Sequence, residues 1–173
     1  MDITIRKVLP EEAHEYTICH INCWQSAYKD IVPGDYLSNM MNEIEQRTEN
    51  LRKALSEPSD YEYYCVVTND KIIGRLIIGK SHDEDKPDAG DLGAIYLLED
   101  YWDKGYGRIM MNFALKRFGE LGYNEIIIWS FEANDRANQF YKKFGFKPDG
   151  IKNEMNLGKP LTIIRHIINI WSQ

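Results

Sequence analysis

The sequence predicts an α+β fold of the mixed α/β type. One central sheet of about seven strands carries about four helices, shared between its two faces. Three observations predict it. Apolar residues recur at period two and at helical spacing by turns, in the order β-α-α-β-β-β-α-β-α-β-β. The middle of that order is a run of strands, so a strictly alternating, doubly wound dinucleotide sheet is disfavoured. The 173 residues are 43% hydrophobic, enough for a single domain over 1–173 with a full core.

Residues 3–8 alternate apolar and polar and read as the first strand. Pro10, Glu11 and Glu12 open a helix, with proline and acids where a helix start favours them. Ala13, Tyr16, His20, Cys23, Trp24 and Ala27 form its inner stripe. Val32-Pro33-Gly34 breaks the pattern, and a second helix is expected over 35–55, closed by Pro58-Ser59-Asp60. Residues 63–68 and 71–80 are rich in β-branched and aromatic residues around Asn69-Asp70, an antiparallel hairpin. An acidic loop at 82–90 leads to a strand at 91–98 and a helix at 105–121, which Gly122 closes. A short buried strand at 125–130 and a helix at 135–144 follow, ended by Gly145. Two final strands lie near 146–151 and 161–170.

The net charge of −6 does not suggest a nucleic-acid partner. Residues 101–152 nevertheless carry nine Lys/Arg against six Asp/Glu, a basic segment in an acidic chain that suits an anionic ligand. No apolar stretch approaches the ~20 residues that cross a bilayer. The N-terminal MDITIRKVLPEE lacks the features of a secretory signal, so no membrane and a cytoplasmic location are expected. Cys19, Cys23 and Cys65 have no zinc-like repeat and read as reduced thiols, with no metal site.

The most informative stretch is 92–108, LGAIYLLEDYWDKGYGR. An apolar strand ends in acids, turns through Gly105-Tyr106-Gly107, and opens a helix. Glycines so placed let the backbone turn tightly and leave its amides uncovered, and a helix start concentrates such amides on one spot. A phosphate or pyrophosphate fits there; a plain strand–helix connection fits the loop alone. Met110 stands where the dinucleotide fingerprint needs its third glycine, and no Gly-Lys-Ser/Thr occurs, so neither NAD nor a nucleotide triphosphate is indicated.

The block 95–146 joins IYLLEDYWDKGYGRIM to NDRANQFYKKFGF. It resembles the GNAT superfamily of acyl-CoA-dependent N-acetyltransferases, whose members show a strand, a Q/R-x-x-G-x-G/A loop, a helix, a strand, then an Asn ahead of a helix ending F-Y-x-x-x-G-F. Asn134 and 140–146 supply the second half, while His20, Trp24, Tyr28, Ile31, Pro33, Tyr36 and Leu37 look like a common subgroup. Trp102 departs from the pattern at the usual Gln/Arg position.

The resemblance implies a splayed central sheet and attack of a primary amine on acetyl-CoA by direct transfer. The amine belongs to a small molecule or peptide. It maps pantetheine onto the backbone of Ile95, Tyr96 and Leu97, with an amide of Leu97 or Tyr96 facing the oxyanion. The pyrophosphate falls on Asp103, Lys104, Gly105, Tyr106, Gly107 and Arg108, with Lys104 and Arg108 adding charge or remaining merely solvated. Asn134 bonds the cofactor or caps its helix. Tyr141 is the implied general acid. A phenol near pKa ~10 can protonate a thiolate whose conjugate acid lies near ~8.5. A core aromatic is the competing reading. Asp91 is a candidate general base, directly or through water, or simply the end of the acidic loop. Trp24, Tyr28 and Tyr36 wall the acceptor pocket in such proteins, although core packing explains Trp24 equally. A non-catalytic acyl-CoA sensor of the same fold is the alternative, and the apolar run 163–171 leaves a homodimer open.

Overall fold

The structure, a computed structural model, describes residues 3–170. In chain order the elements are β1 (Thr4–Lys7), α1 (Ala13–Ala27), α2 (Gly34–Asn42), α3 (Ile44–Ser56), β2 (Tyr61–Thr68), β3 (Lys71–Lys80) and β4 (Gly90–Leu97). They continue with α4 (Tyr106–Glu120), β5 (Glu125–Phe131), α5 (Asp135–Lys143), β6 (Lys147–Asn156) and β7 (Pro160–Asn169). The seven strands make one sheet in the order β1-β2-β3-β4-β5-β7-β6, antiparallel except where β4 meets β5.

The expected second helix is two. The spacing of Leu37, Met40, Ile44, Thr48, Leu51 and Leu55 is continuous, yet the chain leaves helical geometry at Glu43 (φ −95°, ψ 8°). The reason is tertiary. Leu37 and Met40 pack with Tyr28 and Phe131, whereas Leu51 and Leu55 pack with Tyr16 and Cys65, and one straight rod cannot serve both clusters.

Local chemistry explains the other boundaries. Asn69 and Asp70 both adopt positive φ, as a tight hairpin turn between β2 and β3 requires. Asn134 caps α5, its Oδ1 accepting from the Ala137 amide at 3.2 Å. Beneath α4 and α5 lies a core of Leu76, Leu92, Met111, Phe118, Ile126 and Phe146. On the opposite face α1 and α3 bury Tyr16, Cys19, Cys23 and Cys65. All three cysteines are free and buried.

Two features of β4 shape the rest of the molecule. Its parallel contact with β5 is confined to Gly90 with Ile126 and Asp91 with Ile127, after which the strands part. Gly93 is an extra residue against β3, since Ile77 pairs with Ala94 and Ile78 with Leu92. The loop before β4 is fastened to the far half of the sheet by Arg165. That side chain is 2% exposed and meets Asp83 at 2.8 Å, Asp85 at 2.6 Å and Asp149 at 2.7 Å.

β7 is paired on both sides, so its apolar residues belong to the sheet interior; Trp171 lies outside the described residues. Among the described residues no helix is long and apolar enough to cross a membrane, and no cluster of His, Cys, Asp and Glu could hold a metal ion.

Candidate active site

Where β4 leaves β5, backbone groups lose their ladder. The Leu98 amide donates to the Ile73 carbonyl at 2.9 Å, and Arg75 faces Tyr96 across the same ladder. The two-residue period of antiparallel pairing then turns the amide and carbonyl of Tyr96 toward β3 and those of Ile95 and Leu97 toward the gap. Of the two amides anticipated for an oxyanion, Leu97's therefore faces the opening and Tyr96's does not. Trp102, the departure from the motif, donates its Nε1 to the Leu97 carbonyl at 2.7 Å and bounds the gap on that side.

The glycine loop sits beyond it. Gly105 holds φ +84° at the start of α4, a left-handed geometry that glycine adopts without strain. Its carbonyl accepts from the Arg108 and Ile109 amides, and the Gly107 amide bonds to no described residue. A β-carbon on Gly107 would stand 3.3 Å from the Phe140 ring, so the bare α-carbon keeps α4 close to α5. Asp103, Lys104 and Arg108 are exposed; Tyr106 points into the core, leaving only its backbone toward the loop. Arg136, absent from the residues anticipated, pairs with Asp103 at 3.0 Å and lies 4.5 Å over the Trp102 ring. These groups fit a pantetheine arm and a diphosphate: a strand edge facing a gap, then a tight cationic turn at a helix start.

Three phenols gather at the gap. Tyr28 and Tyr96 share a hydrogen bond of 2.9 Å between hydroxyls. The Tyr141 hydroxyl lies within electrostatic reach of both. Burial, and after it the neighbouring Tyr96, pushes the Tyr141 phenol well above its ordinary value, so it keeps its proton throughout the neutral range. Its ring stands edge-on to His166, with centroids 5.8 Å apart. His166 is 2% exposed and belongs to a network with Ser130 and Asn138, at 3.1 and 3.2 Å. Nothing in the sequence marked it, because a lone His in an apolar strand carries no spacing signal.

Asp91 lies where β4 and β5 are still paired. Tyr61 Oη donates to its Oδ2 at 2.8 Å, and that oxygen is 3.6 Å from where a β-carbon on Gly93 would stand. The carboxylate thus leans along the strand toward the gap over a residue with no side chain. Burial raises it, a rise the Tyr61 hydrogen bond only partly offsets, and it titrates at about 6. No described contact joins it to the three phenols; Ile95 is about 13 Å further along the extended strand.

Trp24, Tyr28 and Tyr36 fall in one aromatic cluster. Trp24 stands edge-on to Tyr28 at 4.9 Å, and Tyr28 edge-on to Phe131 at 4.9 Å, with Tyr36 packed alongside. Next to them a surface recess of about 250 Å³ runs between Ile31, Phe131 and the start of β7 at Pro160 and Leu161. His20, between Trp24 and Tyr96, is driven down to about 2 by burial and then by the charges of Arg75 and Arg47, so it is neutral.

A model of the family described as Acetyltransferase (GNAT) family matches residues 21–146. The chain belongs to the GNAT acetyltransferase family. The GNAT match runs from the middle of α1 to the end of the F-Y-x-x-x-G-F segment, so it takes in the gap, the glycine loop and the phenol cluster. Among curated relatives, an uncharacterized N-acetyltransferase YuaI of Bacillus subtilis is 24% identical over 96% of this chain and 99% of its own. The peptidyl-lysine N-acetyltransferase YjaB of Escherichia coli is 25% identical over 95% of each. Among solved structures, the PaiA N-acetyltransferase of Thermoplasma acidophilum in complex with coenzyme A superposes with a TM-score of 0.73. It is 20% identical and covers 95% of this chain and 98% of that one. That likeness extends the GNAT assignment to the fold as a whole.

Proposed function

We propose that this acetyltransferase moves the acetyl group of acetyl-CoA to a primary amine by direct attack within a ternary complex. The observation that carries the proposal is the parting of β4 from β5 after Asp91, with the Ile95 and Leu97 backbone and the Tyr141 phenol converging on the gap. Ile95 and Leu97 hold the pantetheine arm as a short added strand. Gly105, Gly107 and the first turn of α4 receive the diphosphate, helped by Lys104 and Arg108. Acetyl-CoA supplies an activated acyl group; the chain's residues position it and manage protons.

The amine approaches from the α1 face, past Trp24, Tyr28 and Tyr36. Asp91 takes the ammonium proton through water lying over Gly93, its raised affinity for protons suiting it to that task. A cleft amide, from Ile95 or Leu97, donates to the carbonyl oxygen as charge develops there. Tyr141 donates to the departing sulfur. Asn134 and Asn138 keep the start of α5, and hence Tyr141, in place.

A second reading, a non-catalytic acyl-CoA sensor, draws on the lack of any described contact between Asp91 and the phenols. Thiol release from acetyl-CoA with polyamines, aminoglycosides, amino acids and peptides separates the two. Amine-dependent release with intersecting initial-velocity lines is expected; parallel lines would point to a covalent acyl-enzyme instead. Calorimetry giving no heat with CoA would remove both readings.

A further inference from the structure

The chain buries two arginines on strands and treats them in opposite ways. Arg165 is enclosed by three carboxylates. Arg75, on β3, is 9% exposed and pairs with no carboxylate among the described residues. Its Nε is fully buried without a hydrogen-bond partner, while the terminal nitrogens hold what exposure the residue has. Such a group is costly to keep, because a desolvated guanidinium needs an anion to offset the loss of its water.

Its position says which anion. Arg75 sits directly across from Tyr96, on the α1 face that the proposed function gives to the amine. Its Cζ lies 4.8 Å over the Tyr16 ring, a cation–π contact in place of an ion pair. The Tyr16 hydroxyl, buried and short of a well-formed hydrogen bond, interacts with Arg75 itself. The Trp24 indole N–H, in the wall that touches His20 and Tyr96, is directed at the Tyr96 hydroxyl without a well-formed bond. His20 is neutral, so the charges acting there are those of Arg75 and of Arg47, and Arg47 already has Glu43 as a partner at 2.7 Å.

We propose that Arg75 binds a compact anionic group of the acceptor, a carboxylate or phosphate carried on the same molecule as the reactive amine. This deepens the acetyltransferase reading and rests on it. The acceptor is then an amino-acid-like or phosphorylated amine, and a purely cationic polyamine is disfavoured by the same guanidinium. Arg supplies a two-pronged donor to either anion.

Matched pairs test it. Lysine against cadaverine and tyrosine against tyramine isolate the carboxylate; phosphoethanolamine against ethanolamine isolates the phosphate. In the parent, at least one anionic member should exceed its partner tenfold or more in kcat/KM, and which pair does so identifies the anion. Arg75→Met should erase that preference, mainly through KM, and Arg75→Lys should restore part of it. A preference that survives Arg75→Met, or a panel in which the cationic members do as well or better, overturns the proposal. The free protein gives a second readout. Arg75→Met should leave the melting temperature unchanged or raise it, while abolishing the rise that the preferred anionic amine produces in the parent. A large fall in melting temperature would mean Arg75 is structural and refute the assignment. CoA binding and thiol release stay intact if the anion assignment alone fails, and are lost if the acetyltransferase reading fails.

Discussion

Replacing Tyr141 with Phe removes one oxygen and leaves the ring. The side chain is 7% exposed, edge-on to Phe140 and His166, and its hydroxyl bonds to no described residue. No hydrogen bond is therefore lost in the free protein, and stability should stay within about 1 kcal/mol of the parent. The loss falls on the departing sulfur. A donor to a group gaining negative charge contributes about 1.5–3 kcal/mol, and about 1.4 kcal/mol is a factor of ten in rate. Tyr141→Phe should then lower kcat about 10- to 150-fold while the Kd for CoA changes less than about twofold. Single-turnover thiol release with the best amine of the panel measures the first, and calorimetry the second. Equal single-turnover rates in mutant and parent would refute a role for the hydroxyl. A parallel collapse of CoA affinity and melting temperature would make Tyr141 a packing residue.

Three further outcomes follow from the same geometry. Gly107→Val should weaken CoA binding at least tenfold, because its side chain meets Phe140 and covers the loop; circular dichroism should show the domain still folded. Asp91 titrates at about 6 and acts as a base only when ionised, so kcat/KM should climb toward a plateau above that pH; Asp91→Asn should flatten the limb and lower the plateau. A pH profile unchanged by Asp91→Asn excludes it. Gly93→Val puts a side chain where only ordinary contacts of 3.4–3.6 Å wait, so folding should be kept while the path from Asp91 to the gap closes. The expected result is a tenfold or greater fall in kcat/KM for the amine with CoA affinity retained, read by steady-state kinetics and calorimetry.

The sequence was most readable where one residue type answers one local demand. The β2–β3 hairpin, the αL start of α4 at Gly105 and the Asn134 cap lie where their turn chemistry predicts. The break at Glu43 was not readable, because the apolar spacing runs through it and only the direction of packing changes. β6 extends to Asn156 beyond the expected 151, since an exposed edge of Lys, Asp, Asn and Glu has no alternation to detect. Within the site, the motif singled out Ile95, Tyr96, Leu97 and Tyr141. It could not show that Tyr96 turns its backbone away from the gap, nor that Trp102 closes on Leu97. Arg75 had one faint signal, a single charge inside the apolar run IIGRLII.

The two rungs joining β4 to β5 leave the sheet as two panels on a short seam, with the Arg165 cluster as a clasp at one end. Lys86 adds a tie to Glu125 at 2.8 Å on the same side. Whatever lies along Ile95 and Leu97 extends that seam, so occupancy and cohesion of the panels are coupled. Amide exchange in β5 and β7 should slow when CoA binds, although neither strand is asked to touch it.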